Sequence, residues 1–255
     1  MNTFQSEISI CISSFEPDCK TEPWGLLIKN KGIGFVFHEI TKSKLPLDAL
    51  PLDLHLIHIW EDQWTNKKEI VKSRIISLFG KSERVYARNT KVVKLNKIEL
   101  LQFLNQNHLN EPANAKIKYG LMDGDELVAV SAFSRSCPVH RDGVVYRSHQ
   151  LIRFCNKNGF TVVGGLSKLI AHFIKMHNPE DIMSYADLDW SNGKSYTRLG
   201  FHQIGVLEPQ TFYTDPNAMQ RYYKLNAPEE KSGLLKFANQ GSIKYLLDLK
   251  DIANG

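Results

Sequence analysis

Cysteines are few in this sequence, and long apolar runs are absent from it. The four cysteines are scattered along the chain, at Cys11, Cys19, Cys137 and Cys155, and none forms a CxxC pair. A zinc knuckle is therefore not expected, and a reduced, cytoplasmic setting is favoured. No run of about 18 apolar residues occurs, so no transmembrane helix is expected. The N-terminus also lacks the basic start and apolar core of a signal peptide.

The charge of the chain leaves the class of partner open. Lysine and arginine outnumber aspartate and glutamate, which gives a formal net charge of +5. A net charge of this size permits binding to nucleic acid but does not require it. With 42% hydrophobic and 23% charged residues, the composition is that of an ordinary globular protein, so fibrous and low-complexity classes are not expected.

The pattern of elements divides the chain into three parts, residues 1–82, 83–226 and 227–255. The first part contains four apolar runs that predict strands, "ISICISSF", "WGLLIKN", "IGFVFHEI" and "LHLIHIW". A helical pattern follows them and ends at Gly80, a typical residue after a helix C-terminus. The last part opens with polar residues and predicts a helix over Ile243–Leu249. We therefore expect a small α+β N-terminal appendage and a helical C-terminal tail.

The central part alternates strands and helices. Two alternating runs flank Asp123-Gly124 and predict a β-hairpin, because this dipeptide favours a tight turn. After a strand in "YRSHQLIRFCN", the chain turns at Gly164-Gly165 and continues as a helix that Pro179 ends. A strand over Asp181–Ala186 and a short helix over Gly193–Leu199 follow. The predicted fold class is α/β, with a mixed sheet and flanking helices.

This order of elements resembles the GNAT fold of N-acetyltransferases. In that family a glycine-rich turn before a helix holds the pyrophosphate of acetyl-CoA, which implies a site at Gly164, Gly165, Ser167 and Lys168. The family's tyrosine before a Gly-Phe pair matches Tyr196, whose hydroxyl would protonate the leaving thiolate. The usual Arg/Gln-x-x-Gly-x-Gly/Ala pattern is absent, because "FTVV" precedes the two glycines. A double glycine alone also fits a plain tight turn.

A second resemblance is more specific. The segments "LIRFCNKNGFTVVGGLSKLI" and "SYADLDWSNGKSYTRLGF" resemble the Mom family of phage proteins, GNAT relatives that modify adenine in DNA. Over residues 55–225 the chain also resembles the C-terminal module of Vsr-like phage homing endonucleases. These resemblances imply a phage or prophage origin and action in the bacterial cytoplasm. They also imply functional roles for Arg153, Ser167, Asp187 with Ser184 and Tyr185, Tyr196, and His108.

The nuclease half of such endonucleases is reduced in this chain. Phosphodiester cleavage needs carboxylates that hold Mg²⁺, and the family places a Trp-His pair after them. Here His38, Glu39, Glu61 and Asp62 are present, but no Trp-His pair follows. We therefore interpret residues 1–82 as a degenerate Vsr-like nuclease remnant or a DNA-facing appendage. In this interpretation the four side chains are solvated strand and loop residues rather than metal ligands.

Each predicted site residue also has a structural alternative. Arg153 and Asp187 would form a buried ion pair if they serve only the fold, whereas a functional Asp187 would orient or activate the acceptor amine. His108 would cap the end of its helix, or it would join Asp187 and Tyr196 in a site for iron or another divalent metal. Ser167 would be an ordinary residue of the first helical turn. The sequence leaves these alternatives open.

Basic residues and one tryptophan are candidate contacts to DNA. Basic side chains in three stretches would track phosphates, or they would form solvated faces. They are Lys67, Lys68, Lys72 and Arg74 in the first stretch, Arg84, Arg88, Lys91 and Lys94 in the second, and Arg135, Arg141 and Arg147 in the third. Trp190 lies beside Asn192-Gly193 and would either stack on an extruded base or pack in the core.

Three functions are compatible with these observations. The resemblances imply phage-type modification of an adenine base by a GNAT-like transferase that uses acetyl-CoA or a related acyl donor. An N-acetyltransferase that acts on a protein or a small amine is the first alternative, because the glycine turn and Tyr196 serve it equally. A non-catalytic DNA-binding accessory derived from a homing endonuclease is the second. We therefore expect acyl-CoA and double-stranded DNA as partners, and no membrane association.

Overall fold

A computed structural model describes residues 3–40, 50–51, 53–141, 143–223 and 233–250. The α-helices in these ranges are α1 Thr3–Ser13, α2 Glu61–Leu78, α3 Lys97–Asn107, α4 Gly165–His177 and α5 Lys194–Arg198. The strands are β1 Lys20–Glu22, β2 Gly25–Ile28, β3 Ile33–His38, β4 His55–Trp60, β5 Glu83–Tyr86, β6 Lys91–Lys94, β7 Ile117–Asp123, β8 Glu126–Phe133, β9 Cys137–Arg141, β10 Val144–Asn156, β11 Phe160–Val163, β12 Asp181–Asp187, β13 His202–Leu207, β14 Thr211–Asp215, β15 Gln220–Tyr223, β16 Leu235–Ala238 and β17 Ser242–Asp248. In the described part of the chain, no helix combines the length and the apolar character needed to cross a membrane.

The chain forms two compact units, and neither is continuous in sequence. The first unit comprises Met1–Ile75, Ala186–Gly193 and Val206–Ile243. The second comprises Ile76–Tyr185, Lys194–Gly205 and Lys244–Gly255. The predicted division at residue 82 lies near the end of the first segment, whereas the predicted division at residue 226 falls outside the described residues. The predicted division into consecutive parts therefore missed the two later segments, Ala186–Gly193 and Val206–Ile243, that belong to the first unit.

The first unit contains a four-stranded sheet in the order β1-β2-β3-β4 and a three-stranded sheet in the order β15-β14-β16. Strands β3 and β4 are parallel, and the other neighbours pair antiparallel. The strands predicted from "WGLLIKN", "IGFVFHEI" and "LHLIHIW" are confirmed as β2, β3 and β4. The strand predicted from "ISICISSF" is wrong, because Phe4, Ile8 and Ile12 are buried at a four-residue spacing and form one face of α1.

The second unit is built on a mixed sheet with flanking helices, which confirms the predicted α/β fold class. The strand order is β13-β17-β12-β10-β8-β7-β6, and β9 pairs with β10. Strand β10 is parallel to β12 and antiparallel to β8, and both α3 and α4 contact β8. The hairpin predicted at Asp123-Gly124 is confirmed as β7 and β8. Gly124 has a φ of 57°, which this tight turn requires.

The C-terminal helix predicted over Ile243–Leu249 is wrong. Most of these residues belong to β17, which lies between β12 and β13 in the sheet. Tyr245, Leu246 and Leu247 are buried in succession, so both faces of the strand are covered. A short apolar run that is buried on both faces has neither a helical nor an alternating period, so its sequence does not distinguish helix from strand. The fold has an interior strand at the place of the predicted helix.

Candidate functional site

The parallel strands β10 and β12 pair over a short distance. Their register covers three residue pairs, from Ser148 opposite Asp181 to Gln150 opposite Met183. Directly after Leu151 the register between β10 and β8 shifts at a bulge, and the remainder of β10 continues to pair with β8. Beyond the three pairs, the backbone N–H and C=O groups at the C-terminal ends of β10 and β12 are therefore not paired with each other in this ladder. Ligands of open α/β sheets bind at this end of parallel strands.

The hydroxyl group of Tyr196 lies where this pairing ends. The Oγ atom of Ser184, on β12, is 2.9 Å from the Tyr196 hydroxyl oxygen and 3.2 Å from the carbonyl oxygen of Leu151. The Tyr196 ring packs against the rings of Phe201 and Tyr245, at centroid distances of 5.4 and 5.3 Å. Burial raises the pKa of Tyr196, so the phenol keeps its proton at neutral pH. A protonated phenol at this place can act as a general acid.

The two-glycine turn is confirmed, and its two glycines serve different purposes. Gly164 has a φ of 78° and precedes α4 without a side-chain cap. A Cβ atom at Gly165 would lie 3.0 Å from Val162 Cγ1 and 3.4 Å from Leu121 Cδ1, so this glycine permits close packing of the helix. The first N–H groups of a helix have no intrahelical acceptor and can bind an anion. Ser167 is exposed in this first turn.

The side chain of Lys168, in the first turn of α4, donates hydrogen bonds to backbone carbonyl groups. Its Nζ atom donates to the carbonyl oxygen of Ala87 at 2.7 Å and to that of Thr90. Its backbone N–H donates to the carbonyl oxygen of Gly164 at 3.0 Å. An ammonium group has three N–H donors, so a cofactor phosphate would use the third. These contacts are structural, and the cofactor role of Lys168 stays a prediction.

His108 and Arg153 contact backbone groups near them. His108 lies at the C-terminus of α3, and its Nδ1 atom accepts the backbone N–H of Asn110 at 3.0 Å. This is the helix-end position that the structural alternative describes. Arg153 lies just after the bulge in β10 and donates to the carbonyl oxygens of Ile152 and Glu111, at 2.9 and 3.3 Å. A catalytic role for either side chain stays a prediction.

Asp187 ends β12 and belongs to the first unit, whereas Tyr196 belongs to the second. One oxygen of Asp187 accepts the backbone N–H of Asp189 at 3.0 Å, as in an Asx turn. Among the residues that the structure describes, no group of three or more His, Cys, Asp or Glu side chains could hold a metal ion. The metal site predicted from His108, Asp187 and Tyr196 stays a prediction that no observation on the described residues supports.

Asp189 is a buried carboxylate that the sequence did not identify. Its side chain accepts the indole N–H of Trp60 and the backbone N–H of Gln240, both at 2.8 Å. Burial, followed by the nearby charge of Asp187, raises the pKa of Asp189 to about 7. Trp60 and Gln240 are 129 and 51 residues away in sequence, so no local pattern could have indicated these contacts.

Two of the candidate magnesium ligands accept hydrogen bonds within the first unit. Asp62 accepts two N–H groups of the Arg221 guanidinium, at 2.7 and 2.8 Å. Glu61 accepts the backbone N–H of Ile40 at 2.8 Å. The expectation that Asp62 is solvated is wrong, because its pair with Arg221 leaves the residue only 3% exposed.

The other two candidate ligands are also in structural contacts. Glu39 is buried and accepts the side-chain amide of Gln5 at 2.7 Å. The His38 Nε2 and His58 Nδ1 atoms are 2.8 Å apart, and the His38 ring stacks on Trp60 at 4.1 Å. Burial lowers the pKa of His38 to about 3 and that of His58 to about 4, so both rings are neutral at pH 7. A neutral, stacked histidine pair is part of the core of this unit rather than a solvated surface.

The predicted DNA-binding lysines of α2 lie beside acidic side chains or at a distortion. Lys68 forms an ion pair with Glu7, and Lys72 forms one with Glu69 at 2.9 Å. Lys67 has non-helical backbone angles, φ −134° and ψ 38°, and marks a kink in α2. These two ion pairs reduce the positive charge that this helix presents to a phosphate backbone.

Three further DNA candidates are the buried Trp190 and the exposed Arg88 and Arg135. Trp190 is buried, and the guanidinium carbon of Arg74 lies 4.5 Å from the centre of its ring. This placement agrees with packing in the core rather than with stacking on a base. Arg88 and Arg135 are exposed, and Arg88 lies 5.1 Å over the ring of Tyr86. Contacts of these two arginines with nucleic acid stay a prediction.

Comparison with known proteins gives similarity of fold only. No protein-family profile matches the sequence, and no curated protein matches it. An acetyltransferase from Bacillus subtilis in complex with CoA is similar, with 14% identity, a TM-score of 0.42, and coverage of 63% of this chain and 99% of that one. A GNAT family acetyltransferase from Elizabethkingia anophelis with acetyl-CoA bound has 14% identity, a TM-score of 0.40 and the same coverages. The ribosomal-protein-S18-alanine N-acetyltransferase from Escherichia coli has 12% identity, a TM-score of 0.41, and coverage of 62% and 93%.

Proposed function

We propose that this protein is an acyl-CoA-dependent N-acyltransferase whose reaction centre lies between the C-terminal ends of β10 and β12. The observation that carries the proposal is the early end of pairing between these parallel strands, with the Tyr196 hydroxyl group beside it. Backbone amides outside the ladder, an anion site and a proton donor are three features that would bind a thioester of CoA and assist its reaction. The sequence resemblance to GNAT enzymes agrees with this assignment.

The donor fits the two ends of the proposed site. The pantetheine arm of CoA is an extended chain with amide groups, which can pair with strand backbone in the way that an added strand does. Its pyrophosphate fits the N-terminal turn of α4, where backbone N–H groups and the helix dipole favour an anion. Helix α4 directly precedes β12 in the chain, and in the proposed site its N-terminus would lie toward the C-terminal end of the parallel pair. One CoA molecule would therefore extend from Ser167 toward Tyr196.

The reaction would proceed by direct transfer from the thioester to an amine. The neutral amine nitrogen attacks the thioester carbonyl, a C–N bond forms, and the C–S bond breaks. The departing thiolate takes the proton of the Tyr196 hydroxyl group. The new amide nitrogen gives up its extra proton, which returns to the tyrosinate through solvent. The products are an N-acyl amine and CoA in its thiol form.

The acceptor that the Mom resemblance implies is the exocyclic amine of adenine in DNA. This part of the proposal rests on the sequence segments that carry the resemblance and on the exposed positions of Arg88 and Arg135. A protein N-terminus or a small polyamine is the competing acceptor. Release of CoA thiol from acetyl-CoA in the presence of duplex DNA, an N-terminal peptide or a polyamine would separate these acceptors. Mass spectrometry of nucleosides from the DNA would then identify an adenine adduct, and an unmodified base would exclude the DNA acceptor.

The donor site is tested by placing a negative charge in the first turn of α4. Ser167→Glu should raise the Kd for acetyl-CoA about fivefold in calorimetry, because like charges within a few ångströms repel by about 1 kcal/mol. The same change should leave the ligand-free melting temperature equal or slightly higher, because an acid at a helix N-terminus is favourable. Met176→Glu is the matched control, since Met176 is exposed at the other end of the helix.

The wild-type protein should gain about 2.7 kcal/mol of stability at an acetyl-CoA concentration of 100 times Kd. An unchanged melting temperature at millimolar acetyl-CoA would exclude an acyl-CoA site. Equal affinities for Ser167→Glu and Met176→Glu would exclude the α4 N-terminus as the place of the pyrophosphate.

A further inference from the structure

We infer that Ser184 is a positioning residue that directs the proton of Tyr196 toward the reacting thioester. The inference rests on the proposed acyltransferase function and deepens it. Ser184 follows Met183, the last β12 residue that pairs with β10, and it is 1% exposed. Its hydroxyl group therefore occupies the point at which the backbone ladder between the two strands ends.

The two contacts of Ser184 fix the direction of one hydrogen bond. A serine hydroxyl carries one proton, and its Oγ atom has two oxygen atoms within reach, at 2.9 Å in Tyr196 and at 3.2 Å in Leu151. Ser184 is the donor in both contacts, so its one proton is shared between the two acceptors, with the shorter bond to Tyr196. The phenol oxygen then accepts, and its own proton is directed to another acceptor. In the acylation step that acceptor is the departing thiolate.

The ring of Tyr196 is held in one orientation by its neighbours. Phe201 meets the ring nearly edge-on, at an interplanar angle of 69°, and Tyr245 stacks on it at 22°. Tyr245, on β17, is the titratable side chain that acts on Tyr196. With the ring fixed on these sides, the hydrogen bond from Ser184 sets the position of the hydroxyl group and lowers the pKa that burial raises.

The hydrogen bond also favours the charged form that Tyr196 takes after it gives up its proton. A donor to a phenol oxygen stabilises the phenolate, whereas burial destabilises it. Ser184 therefore offsets part of the effect of burial and makes Tyr196 a stronger acid than its surroundings alone would allow. The net reaction is unchanged, because the tyrosinate recovers the proton that the acylated amine gives up.

Four variants separate this role from a purely structural one. They are Ser184→Ala, Tyr196→Phe, the double variant of these two, and Ser131→Ala as the matched control. Ser131 lies on β8 in the same sheet, is fully buried, and its hydroxyl has no hydrogen-bond partner within the described part of the chain. Its replacement removes a buried hydroxyl group without removing a hydrogen bond to Tyr196.

The first measurement is the pKa of Tyr196, which needs no acceptor. All nine tyrosines are replaced by 3-fluorotyrosine, and the resonance of residue 196 is assigned by its loss in Tyr196→Phe. Ser184→Ala should raise the pKa of residue 196 by about one unit, which corresponds to the loss of one hydrogen bond. Ser131→Ala should leave it unchanged. Equal values in Ser184→Ala and wild type would overturn the inference.

The second measurement is the release of CoA thiol from acetyl-CoA with the amine probe that the wild-type protein uses. Ser184→Ala should lower kcat about tenfold and change the KM for acetyl-CoA less than about twofold. In the Tyr196→Phe background, the same change should alter kcat less than about twofold, because both residues act through one proton. An equal loss in both backgrounds would overturn the inference, as would a Ser184→Ala enzyme that behaves like Ser131→Ala. A wild-type protein that turns over acetyl-CoA with none of the probes would instead overturn the proposed function, and the acid role with it.

Discussion

Replacement of Asp62 by Asn should strongly destabilise the first unit. Asp62 is 3% exposed and accepts two N–H groups of Arg221, whose guanidinium carbon lies 3.8 Å over the ring of Phe212. The substitution removes the negative charge of Asp62, which is the partner of the guanidinium in this ion pair. Removal of one partner from a buried ion pair costs about 3–5 kcal/mol. For a chain of this size, such a loss lowers the melting temperature by about 10 °C.

The assay is urea unfolding followed by tryptophan fluorescence, with a calorimetric scan beside it. Glu69→Gln is the control, because the Lys72–Glu69 pair is exposed and should contribute less than about 0.5 kcal/mol. A double variant, Asp62→Leu with Arg221→Met, removes both charges and should recover most of the lost stability. A loss below about 1 kcal/mol in Asp62→Asn would refute the reasoning, since it would mean that the guanidinium does not depend on this carboxylate.

Two other substitutions address the Asp189 carboxyl group and the packing of Gly165. The pKa of Asp189 is about 7 in the folded protein against an ordinary value of 3.8, so its contribution to stability grows as the pH falls from 8 to 5 and is lost as the pH rises through 7. Asp189→Asn lacks this contribution. When the pH is lowered from 8 to 5, the unfolding free energy of the wild type, measured in urea, should therefore rise by about 2 kcal/mol relative to that of Asp189→Asn. Parallel pH profiles of the two proteins would contradict the assignment. Gly165→Val should cost about 1–3 kcal/mol, because its side chain would press on Val162 and Leu121, whereas Gly205→Val points into open space and should cost less. Equal melting temperatures for the two glycine variants would show that Gly165 is not needed for packing.

Local signals in the sequence were sufficient for the elements that frame the site. The Asp123-Gly124 turn, the Gly164 turn before α4 and the strand that ends at Asp187 depend on residues close together in the chain. Backbone preferences of glycine and alternating patterns act over a few residues, so they can be read without knowledge of the fold. Tyr196 and Ser184 were singled out differently, by the resemblance of one short segment to the GNAT and Mom families.

Long-range contacts could not be derived from the sequence. The bonds between Asp62 and Arg221 join residues 159 positions apart, and those between Asp189 and Trp60 join residues 129 positions apart. Whether an acidic residue is solvated or buried against a partner depends on such contacts, which leave no periodic trace. The same applies to β17, whose place between two other strands decides its conformation. The expectation that Asp62 is solvated failed for this reason, because the arginine that pairs with it comes from a distant segment.

The interleaved order of the segments has a consequence for synthesis of the chain. The last segment of the first unit ends at Ile243, and the last segment of the second begins at Lys244. A ribosome must therefore deliver nearly all of the sequence before either unit has its complete set of strands. Fragments cut at residue 82 or 226 would each lack strands that their unit needs, so expression of separate domains should yield insoluble material. In the nascent chain the early hydrophobic strands of the first unit should therefore stay without their complete set of neighbours until β16 and Ile243 have left the ribosome.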